Sequence, residues 1–150
     1  MKILLASDHA GLAYKNSLVP ELQARGFTVK DIGTYTDAPD DYPDRAEELA
    51  NALLKGEGDR GILICGSGVG VSVAANKFKG IRAGVCHDTY SAHQGVEHDD
   101  MNVLCIGQRV VGIELAREIV FSFLAAKFSG EERHVRRLGK IKAIEEANMK

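Results

Sequence analysis

A cysteine at the start of a glycine-rich turn is the residue in this sequence best suited to do chemistry. The apolar run 62–64 ends at Cys65, and the turn 66–70 that follows has glycine at every second position. The run predicts a strand buried on both faces, and the glycines let the backbone pass close to a ligand. A helix is predicted from Val71 to Phe78, and the N–H groups at its start favour an anion or an oxyanion. In that setting the Cys65 thiolate can act as a base or a nucleophile.

The same turn has two other interpretations. A nucleotide site is favoured by Asp88, which lies about twenty residues after the turn as a ribose-binding acid does, but Val71 occupies the third glycine position of the dinucleotide fingerprint. A Walker A loop is excluded because no Gly-Lys-Ser/Thr follows. Tight packing of strand against helix, with Cys65 as a small buried hydrophobe, needs no ligand at all. The residues alone leave the nucleotide, packing and catalytic interpretations open.

Two histidine-containing segments add acid and base groups. Asp8 and His9 follow the first predicted strand, where they form either a polar turn with Asp8 as a helix N-cap or a grip on sugar hydroxyls. His98 and Asp99 precede the last predicted strand, and a solvated loop is the commoner role for such a segment. His98 becomes a candidate general acid or base if it faces the same cleft as Cys65. One histidine and two aspartates in a row match no known metal-ligand spacing.

The densest basic cluster lies near the end of the chain, in the run Arg133-His134-Val135-Arg136-Arg137. Arg133 and Arg137 are four residues apart and so share one helical face, where two guanidinium groups suit a phosphate dianion. A solvated helix start is the alternative interpretation. Arg109, which follows the fifth predicted strand, is a further candidate for binding an anion.

Composition limits the classes of function. The 150 residues suit one domain, 1–150, and the net charge of −2 predicts no general affinity for nucleic acid or for an anionic membrane. Three cysteines without a CxxC pair argue against a disulfide framework or a zinc knuckle, and they indicate a reducing cytoplasm. The first strand starts directly after Met1-Lys2, so a secretory signal is not expected, and no apolar run is long enough to span a bilayer.

Strand and helix patterns alternate along the whole chain, and this alternation positions the candidate residues. Patterns typical of strands lie at 3–6, 27–32, 61–64, 81–86 and 102–106, and helical patterns at 12–25, 44–55, 71–78, from 89, 112–128 and 132–148. They predict α/β units with right-handed crossovers, hence a doubly wound, Rossmann-like three-layer sandwich with a five-stranded parallel sheet. Ligands in such folds bind beyond the carboxyl ends of the strands, where Asp8, His9, Cys65 and Ser67 fall. The charged last helix is expected to reach a partner subunit.

Several segments, in this order, resemble the type B ribose-5-phosphate isomerase family, which includes the subunits of galactose-6-phosphate isomerase. The resemblance is carried by Ser-Asp-His-Ala-Gly at 7–11, Asp-Tyr-Pro at 41–43, Cys-Gly-Ser-Gly-Val-Gly at 65–70, Ala-Ala-Asn-Lys at 74–77, Asn-Val-Leu at 102–104, Gly-x-Arg-Val-Val-Gly at 107–112 and Arg-His-x-x-Arg at 133–137. It covers nearly the whole chain. It implies aldose–ketose isomerisation of a sugar phosphate through a cis-enediolate, with neither metal nor cofactor.

The resemblance also implies a role for each candidate residue. Cys65 would move the proton between C1 and C2, Ser67 would assist at the hydroxyls, and His98 would open the furanose ring as an acid. The backbone N–H groups of Gly66, Ser67, Gly68, Val69 and Gly70 would hold the enediolate oxygen. The sugar would be bound by Asp8, His9 and Tyr42, and the phosphate by Arg109, Arg133, His134 and Arg137. The family's site lies between two subunits, which implies a homodimer or a tetramer.

Two positions depart from the family pattern. Val71 stands where one branch of the family has a glutamate base, so the resemblance places this chain with the cysteine branch. Asp99 stands where family members commonly have asparagine, and a carboxylate accepts from hydroxyls but cannot donate to them. The change leaves the preferred sugar open between ribose 5-phosphate, the six-carbon allose or galactose phosphates and free aldoses. A Rossmann-like nucleotide-binding module and a non-catalytic partner subunit are the alternatives from other classes.

Overall fold

A sheet of five parallel strands forms the centre of the molecule. The computed structural model describes residues 1–149, and its strands are β1 (Lys2–Ser7), β2 (Thr28–Gly33), β3 (Arg60–Cys65), β4 (Ala83–Val85) and β5 (Val103–Gly107). Their spatial order is β2-β1-β3-β5-β4, with every neighbouring pair parallel. The order reverses between β1 and β3, because the chain first extends the sheet in one direction and then in the other. Doubly wound folds bind ligands in the crevice at such a reversal.

Helices lie on both faces of this sheet. They are α1 (Leu12–Ala24), α2 (Tyr42–Leu54), α3 (Val69–Ala75), α4 (Thr89–Asp99), α5 (Ile113–Ala125) and α6 (Glu132–Asn148). Side chains alternate along each strand, so that Ile3 and Leu5 point to one face and Leu4 and Ala6 to the other. Helices α1, α4 and α5 bury their apolar residues on the first face, and α2 and α3 on the second. The predicted three-layer, doubly wound α/β sandwich with five parallel strands is confirmed.

Burial makes the central strands a rigid platform for whatever stands at their ends. Ile64 and Leu104 are fully buried, as is Phe123 of α5. Complete burial of such a side chain contributes roughly 1.5–3 kcal/mol to stability. At the amino edge of the sheet, the Arg60 guanidinium donates to the carbonyl of Phe123 at 2.5 Å and to that of Ala126 at 2.6 Å. These bonds satisfy carbonyls at the end of α5 and fix that helix to β3.

Two helices begin two residues earlier than the sequence pattern predicts. Both helix starts lie at the carboxyl edge of the sheet, where the order of the strands reverses. Helix α3 begins at Val69, because Gly68 at φ +79° turns the chain directly into the helix. Helix α2 begins at Tyr42, with Pro43 in its first turn, where the fixed φ of proline suits a helix. Val69 and Tyr42 are therefore held by helices and not by loops.

The edge strand β4 is shorter than the predicted strand 81–86. Its outer side is covered by the side chain of Asn76, which follows α3. The Asn76 amide Nδ2 donates to the Ala83 carbonyl at 2.9 Å, and the Ala83 N–H donates to Asn76 Oδ1 at 2.8 Å. One side-chain amide thus takes the place of a neighbouring strand at this residue and shields the edge.

The last helix, α6, packs against α4 along one side. Three of its apolar side chains, Val135, Ile141 and Ile144, are exposed. The prediction that α6 reaches a partner subunit stays a prediction. No helix within residues 1–149 combines the length and the apolar character needed to cross a bilayer.

Candidate active site

A cleft of about 540 Å³ opens at the carboxyl edge of the sheet, at the reversal between β1 and β3. It is formed by the turns after β1, β3 and β5 and by the first turns of α2 and α3. Its lining residues are Asp8, His9, Ala10, Tyr42, Cys65, Gly66, Ser67, Val69, Gly70, Arg109 and Val110. All of these except Ala10 and Val110 are among the site residues predicted from the sequence. Neither of those two carries a group that would have marked it.

Cys65 ends β3, and its thiol contributes to the wall of the cleft although the residue is only 5% exposed. Its Sγ accepts a hydrogen bond from the Gly68 N–H at 3.1 Å. A backbone N–H directed at sulfur stabilises a thiolate more than a thiol, because the donor interacts more strongly with the charged acceptor. The site therefore has a buried sulfur with a donor already in place to stabilise its basic form.

Gly68 can be no other residue in this turn without a rearrangement. Its φ of +79° lies in the left-handed region, and a Cβ there would stand 2.9 Å from the backbone carbonyl carbon of Ile106. The turn therefore lies directly against β5. This close approach is what holds the Gly68 amide over Cys65.

The neighbouring amides of the turn are not all free to bind a ligand. The Gly68 N–H donates to Cys65 Sγ, and the Val69 N–H donates to Ser67 Oγ at 3.2 Å. Residues 1–149 supply no acceptor for the N–H groups of Gly66, Ser67 and Gly70. Of the five amides that the resemblance assigns to the oxyanion, these three remain available for one. The Ser67 hydroxyl is exposed at the mouth of the cleft.

Tyr42 closes one side of the cleft against α3. A Cβ on Gly70 would stand 2.5 Å from Tyr42 Cε1, so the aromatic ring rests on the glycine backbone. Tyr42 is 41% exposed and lines the cleft. Glycine at position 70 thus makes room for the Tyr42 ring.

Asp8 and His9 occupy the turn after β1. Asp8 is 6% exposed, and its Oδ1 accepts from the N–H groups of Ala10 at 2.9 Å and Gly11 at 3.2 Å. Of the two roles considered for Asp8, the N-cap is confirmed, for a short 3₁₀ turn at His9–Gly11. His9 Nδ1 accepts from the Asp40 N–H at 3.0 Å, so the neutral ring carries its proton on Nε2. His9 can therefore donate to a ligand oxygen.

Arg109 supplies positive charge beside the glycine turn. Its backbone N–H donates to the Gly66 carbonyl at 3.0 Å, which ties the segment after β5 to the turn after β3. A Cβ on Gly66 would stand 3.4 Å from Arg109 Nη1, so the guanidinium lies against the turn. Within residues 1–149 no carboxylate forms an ion pair with it. The guanidinium is free to bind an anion in the cleft.

The remaining predicted site residues lie at the opposite edge of the sheet. They are His98, Asp99, Arg133, His134 and Arg137, at the end of α4 and the start of α6. Helix α4 starts at the carboxyl edge and runs back for 11 residues, or ~16 Å, which carries His98 and Asp99 to the amino edge. A single chain therefore does not bring His98 to the cleft that holds Cys65.

This second cluster is built around two stacked histidines. The rings of His98 and His134 lie with centroids 4.0 Å apart and planes inclined by 27°. Arg133 forms an ion pair with Glu131, whereas Arg137 is exposed and has no carboxylate partner within residues 1–149. Asp99 is also exposed, beside the groove between α4 and α6. The cluster can offer an acid and an anion site to a molecule outside this chain's own cleft.

Burial changes the ionisation of three groups near the two clusters. Loss of hydration lowers the pKa of His134, and the neighbouring His98 lowers it further. Burial raises the pKa of Cys86 to about 11, and it also raises the pKa of Cys105. Neither thiol ionises near neutral pH. No group of three or more His, Cys, Asp or Glu among residues 1–149 is placed to hold a metal ion.

Three residues that the sequence did not mark orient the histidines. Asp40 acts on His9 through its backbone N–H, for which a sequence holds no signal. Gln94 contacts His98 Nδ1 at 2.8 Å, and its position four residues earlier on a helix could have indicated this. Ser129 contacts His134 Nδ1 at 2.6 Å from the segment before α6.

The chain is similar over almost its whole length to a group of sugar-phosphate isomerases. The family model described as Ribose/Galactose Isomerase matches residues 3–141. Ribose-5-phosphate isomerase B of Escherichia coli (strain K12) is 50% identical over 145 residues, which are 97% of each chain. D-erythrulose-4-phosphate isomerase 2 of Mycolicibacterium smegmatis is 42% identical over 150 residues, covering 98% of this chain and 99% of the relative. The solved structure of Clostridium thermocellum ribose-5-phosphate isomerase B superimposes with a TM-score of 0.95 and 48% identity, over 98% of this chain and 99% of its own.

Proposed function

The chain belongs to the ribose/galactose isomerase family, and from this premise we propose that residues 1–150 act as one domain that interconverts ribose 5-phosphate and ribulose 5-phosphate. The observation that carries the proposal is the Cys65 sulfur, which lines the cleft and accepts the Gly68 N–H at 3.1 Å. A base held in that way is what a proton transfer between adjacent carbons requires.

Cys65 acts as the base in the first half of the reaction and as the acid in the second. Its thiolate takes the proton from C2 of the open-chain aldose, and the electrons of that C–H bond form the enediolate. The same proton, now on sulfur, returns to C1 and gives the ketose. Ser67, at the mouth of the cleft, assists the proton exchange between the two hydroxyl oxygens.

The enediolate oxygen is stabilised by the amides of the glycine turn. The N–H groups of Gly66, Ser67 and Gly70 are the free donors, as described above. Removing one such donor from an oxyanion site typically costs about 10²–10³ in kcat. Preorganised amides of this kind account for a large part of the proposed rate enhancement. The alternating glycines of the turn allow these amides to approach the substrate.

The substrate is held from both ends. Asp8, His9 and Tyr42 bind the sugar, with His9 donating from Nε2 to a hydroxyl. Arg109 binds the phosphate together with Arg133 and Arg137. The resemblance adds His134 to the phosphate ligands, although its side chain is only 3% exposed.

A second copy of the chain completes the site. Helix α4 carries His98 ~16 Å back from the carboxyl edge, and Arg133 and Arg137 belong to the start of α6, where His134 stacks on His98. In the same chain they are remote from the Cys65 cleft, so they reach a cleft only from a partner. A two-fold symmetric homodimer supplies each cleft from the other subunit, and a tetramer of two such dimers is the larger alternative. The exposed Val135, Ile141 and Ile144 on α6 support a contact of that helix with the partner.

Other sugar phosphates form the second candidate function. A relative that is 42% identical over nearly the whole chain is named D-erythrulose-4-phosphate isomerase 2, so the family fold is used for more than one sugar. Asp99 next to His98 supports a changed preference, with allose 6-phosphate and galactose 6-phosphate as six-carbon candidates. The nucleotide-binding alternative loses support because Asp88 is engaged as the N-cap of α4, where it accepts from Ser91 N–H at 2.6 Å.

The compartment proposed for this activity is the reducing cytoplasm. All three cysteines are free and buried. An oxidising compartment would expose the proposed catalytic thiol to disulfide exchange and oxidation.

The deciding experiment is an isomerase assay on EDTA-treated protein. Ribose 5-phosphate, D-erythrulose 4-phosphate, allose 6-phosphate and galactose 6-phosphate are compared by kcat/KM for the wild type, Cys65→Ala and the matched control Cys86→Ala. We expect turnover of ribose 5-phosphate by the wild type and by the control, and a loss of at least ~10³ in kcat for Cys65→Ala with folding unchanged. Near-normal turnover by Cys65→Ala would remove the proposed base. Inactivity of the wild type on all four sugars would point to a partner subunit or to the nucleotide alternative.

A further inference from the structure

His134 differs from the arginines beside it in being buried. It is 3% exposed, whereas Arg133 and Arg137 are open to solvent. A phosphate ligand must direct a ring nitrogen at a group that arrives from solvent. The face of the His134 ring is instead occupied by His98, with ring centroids 4.0 Å apart.

One of the two nitrogens of the His134 ring is also engaged. Nδ1 lies 2.6 Å from Ser129 Oγ, and the same hydroxyl oxygen accepts from the Glu131 N–H at 3.2 Å. The Ser129 N–H in turn donates to the Glu97 carbonyl at 2.9 Å, one residue before His98. The two histidines are therefore locked to each other through α4, α6 and the segment between α5 and α6.

His98 is held in its own plane by Gln94. The Gln94 amide lies 2.8 Å from His98 Nδ1, which leaves Nε2 as the ring nitrogen without a hydrogen bond within residues 1–149. An amide can serve both forms of the ring, since its N–H₂ donates to neutral Nδ1 and its oxygen accepts from Nδ1–H of the imidazolium. His98 can gain or lose a proton while its ring keeps one orientation.

We infer that His134 is a positioning residue for His98, not a phosphate ligand: it presents an uncharged ring face against which the proton-donating ring of His98 is stacked. The inference rests on the proposed function, in which His98 opens the furanose ring. In that step the C1–O4 bond breaks with its electron pair going to O4. O4 takes the proton from Nε2 of the His98 imidazolium, and the O1 proton leaves to water as the aldehyde forms.

The charged groups around His98 and His134 favour a positive charge on His98 and a neutral ring at His134. Glu97 Oε1 lies 3.6 Å from His98 Nε2 and supports a positive charge there, while Glu97 Oε2 is shared with His93. On the side of α6, Arg133 and Arg137 oppose a positive charge on His134, and only Glu131 favours one. His134 is therefore the ring of the pair that burial and its neighbours keep uncharged.

Kinetics of three variants test the inference on the full-length protein. His134→Phe keeps a flat, uncharged ring, His134→Ala removes it, and Ser129→Ala removes only the hydroxyl that orients it. With ribose 5-phosphate we expect His134→Ala to lower kcat by at least ~10-fold with KM within ~2-fold, and His134→Phe to retain most of the wild-type kcat. Ser129→Ala should lower kcat less than His134→Ala, again without a rise in KM. Arg136→Ala, an exposed neighbour paired with Glu132, is the control that changes neither constant.

A direct phosphate contact gives the opposite result. In that case His134→Phe and His134→Ala both raise KM by a similar factor, and the inference is overturned. A second measurement needs no substrate: ¹⁵N NMR of histidine-labelled wild type at pH 6.5, where an ordinary histidine is half protonated. A neutral His134 signal supports the inference and a cationic one overturns it. Because this result is independent of turnover, it separates a failure of the inference from a failure of the proposed isomerase activity.

Discussion

Replacing Gly68 by alanine tests the idea that a close-packed turn, possible only with glycine, holds the donor over the Cys65 sulfur. The residue has φ +79°, and an added Cβ would stand 2.9 Å from Ile106 C and 3.1 Å from Gly107 N. Both are backbone atoms of a central strand and cannot rotate away. The turn must therefore move by some tenths of an ångström, and the Gly68 amide moves with it.

Gly56 provides a matched control for the backbone strain alone. It also has φ +79°, but no atom lies within 4 Å of an added Cβ. Gly56→Ala should cost about 1–2 kcal/mol in unfolding free energy from the left-handed conformation. Gly68→Ala should cost this and a further ~1–3 kcal/mol for forcing a methyl group into packed backbone, or ~2–5 kcal/mol in all.

The effect on catalysis follows from the displaced amide. A hydrogen bond to a charged group contributes about 1.5–3 kcal/mol, so losing the Gly68 bond to the thiolate should lower kcat by roughly 10- to 100-fold. Gly56→Ala should leave kcat unchanged. Urea unfolding followed by circular dichroism gives the stabilities, and formation of ribulose 5-phosphate gives kcat. If the two variants were equally stable and equally active, the turn would not hold the donor in the way described here.

Three further predictions concern single side chains. Iodoacetamide at about pH 8 should label the folded protein only at Cys65, because burial raises the pKa of Cys86 to about 11 and also that of Cys105; mass spectrometry showing either buried thiol labelled would contradict this. Arg137→Ala should raise KM for phosphorylated sugars with little change in kcat, and an unchanged KM would remove it from the phosphate site. Burial lowers the pKa of His134, so the unfolded chain takes up this proton at higher pH than the folded protein does. Unfolding free energy should therefore fall as the pH drops below about 6.5, and urea titrations should find a smaller fall in His134→Phe; equal slopes would contradict it.

Local pattern in the sequence was sufficient for the order of strands and helices and for most of the cleft. Apolar runs and helical periodicity depend on neighbours a few residues apart, which is why the parallel sheet was predicted correctly. The same patterns placed Asp8, His9, Cys65 and Ser67 at or just after the ends of parallel strands, and therefore at the carboxyl edge of the sheet. The N-cap role of Asp8 was predicted because capping involves only the next three residues.

Helix starts at the cleft were predicted less well. The local sequence around Gly68 and around Pro43 is compatible with either a helix start or a turn. In the folded chain, Gly68 packs against β5, and Tyr42, next to Pro43, packs against α3. The helices begin two residues earlier than predicted, with Gly68 against β5 and Tyr42 against Gly70 of α3. Tyr42 and Val69 owe their rigid placement to this tertiary packing.

Distances between remote segments could not be predicted from pattern at all. The length and direction of α4 place His98 at the amino edge, far from Cys65, and the packing of α6 on α4 stacks His134 against His98. The orientation of His9 depends on a backbone N–H at Asp40, and the backbone of every residue offers the same group. The sequence thus determined which groups are available and on which kind of element each one stands. Their pairing was set by the folded arrangement, because it depends on how segments far apart in the chain pack against one sheet.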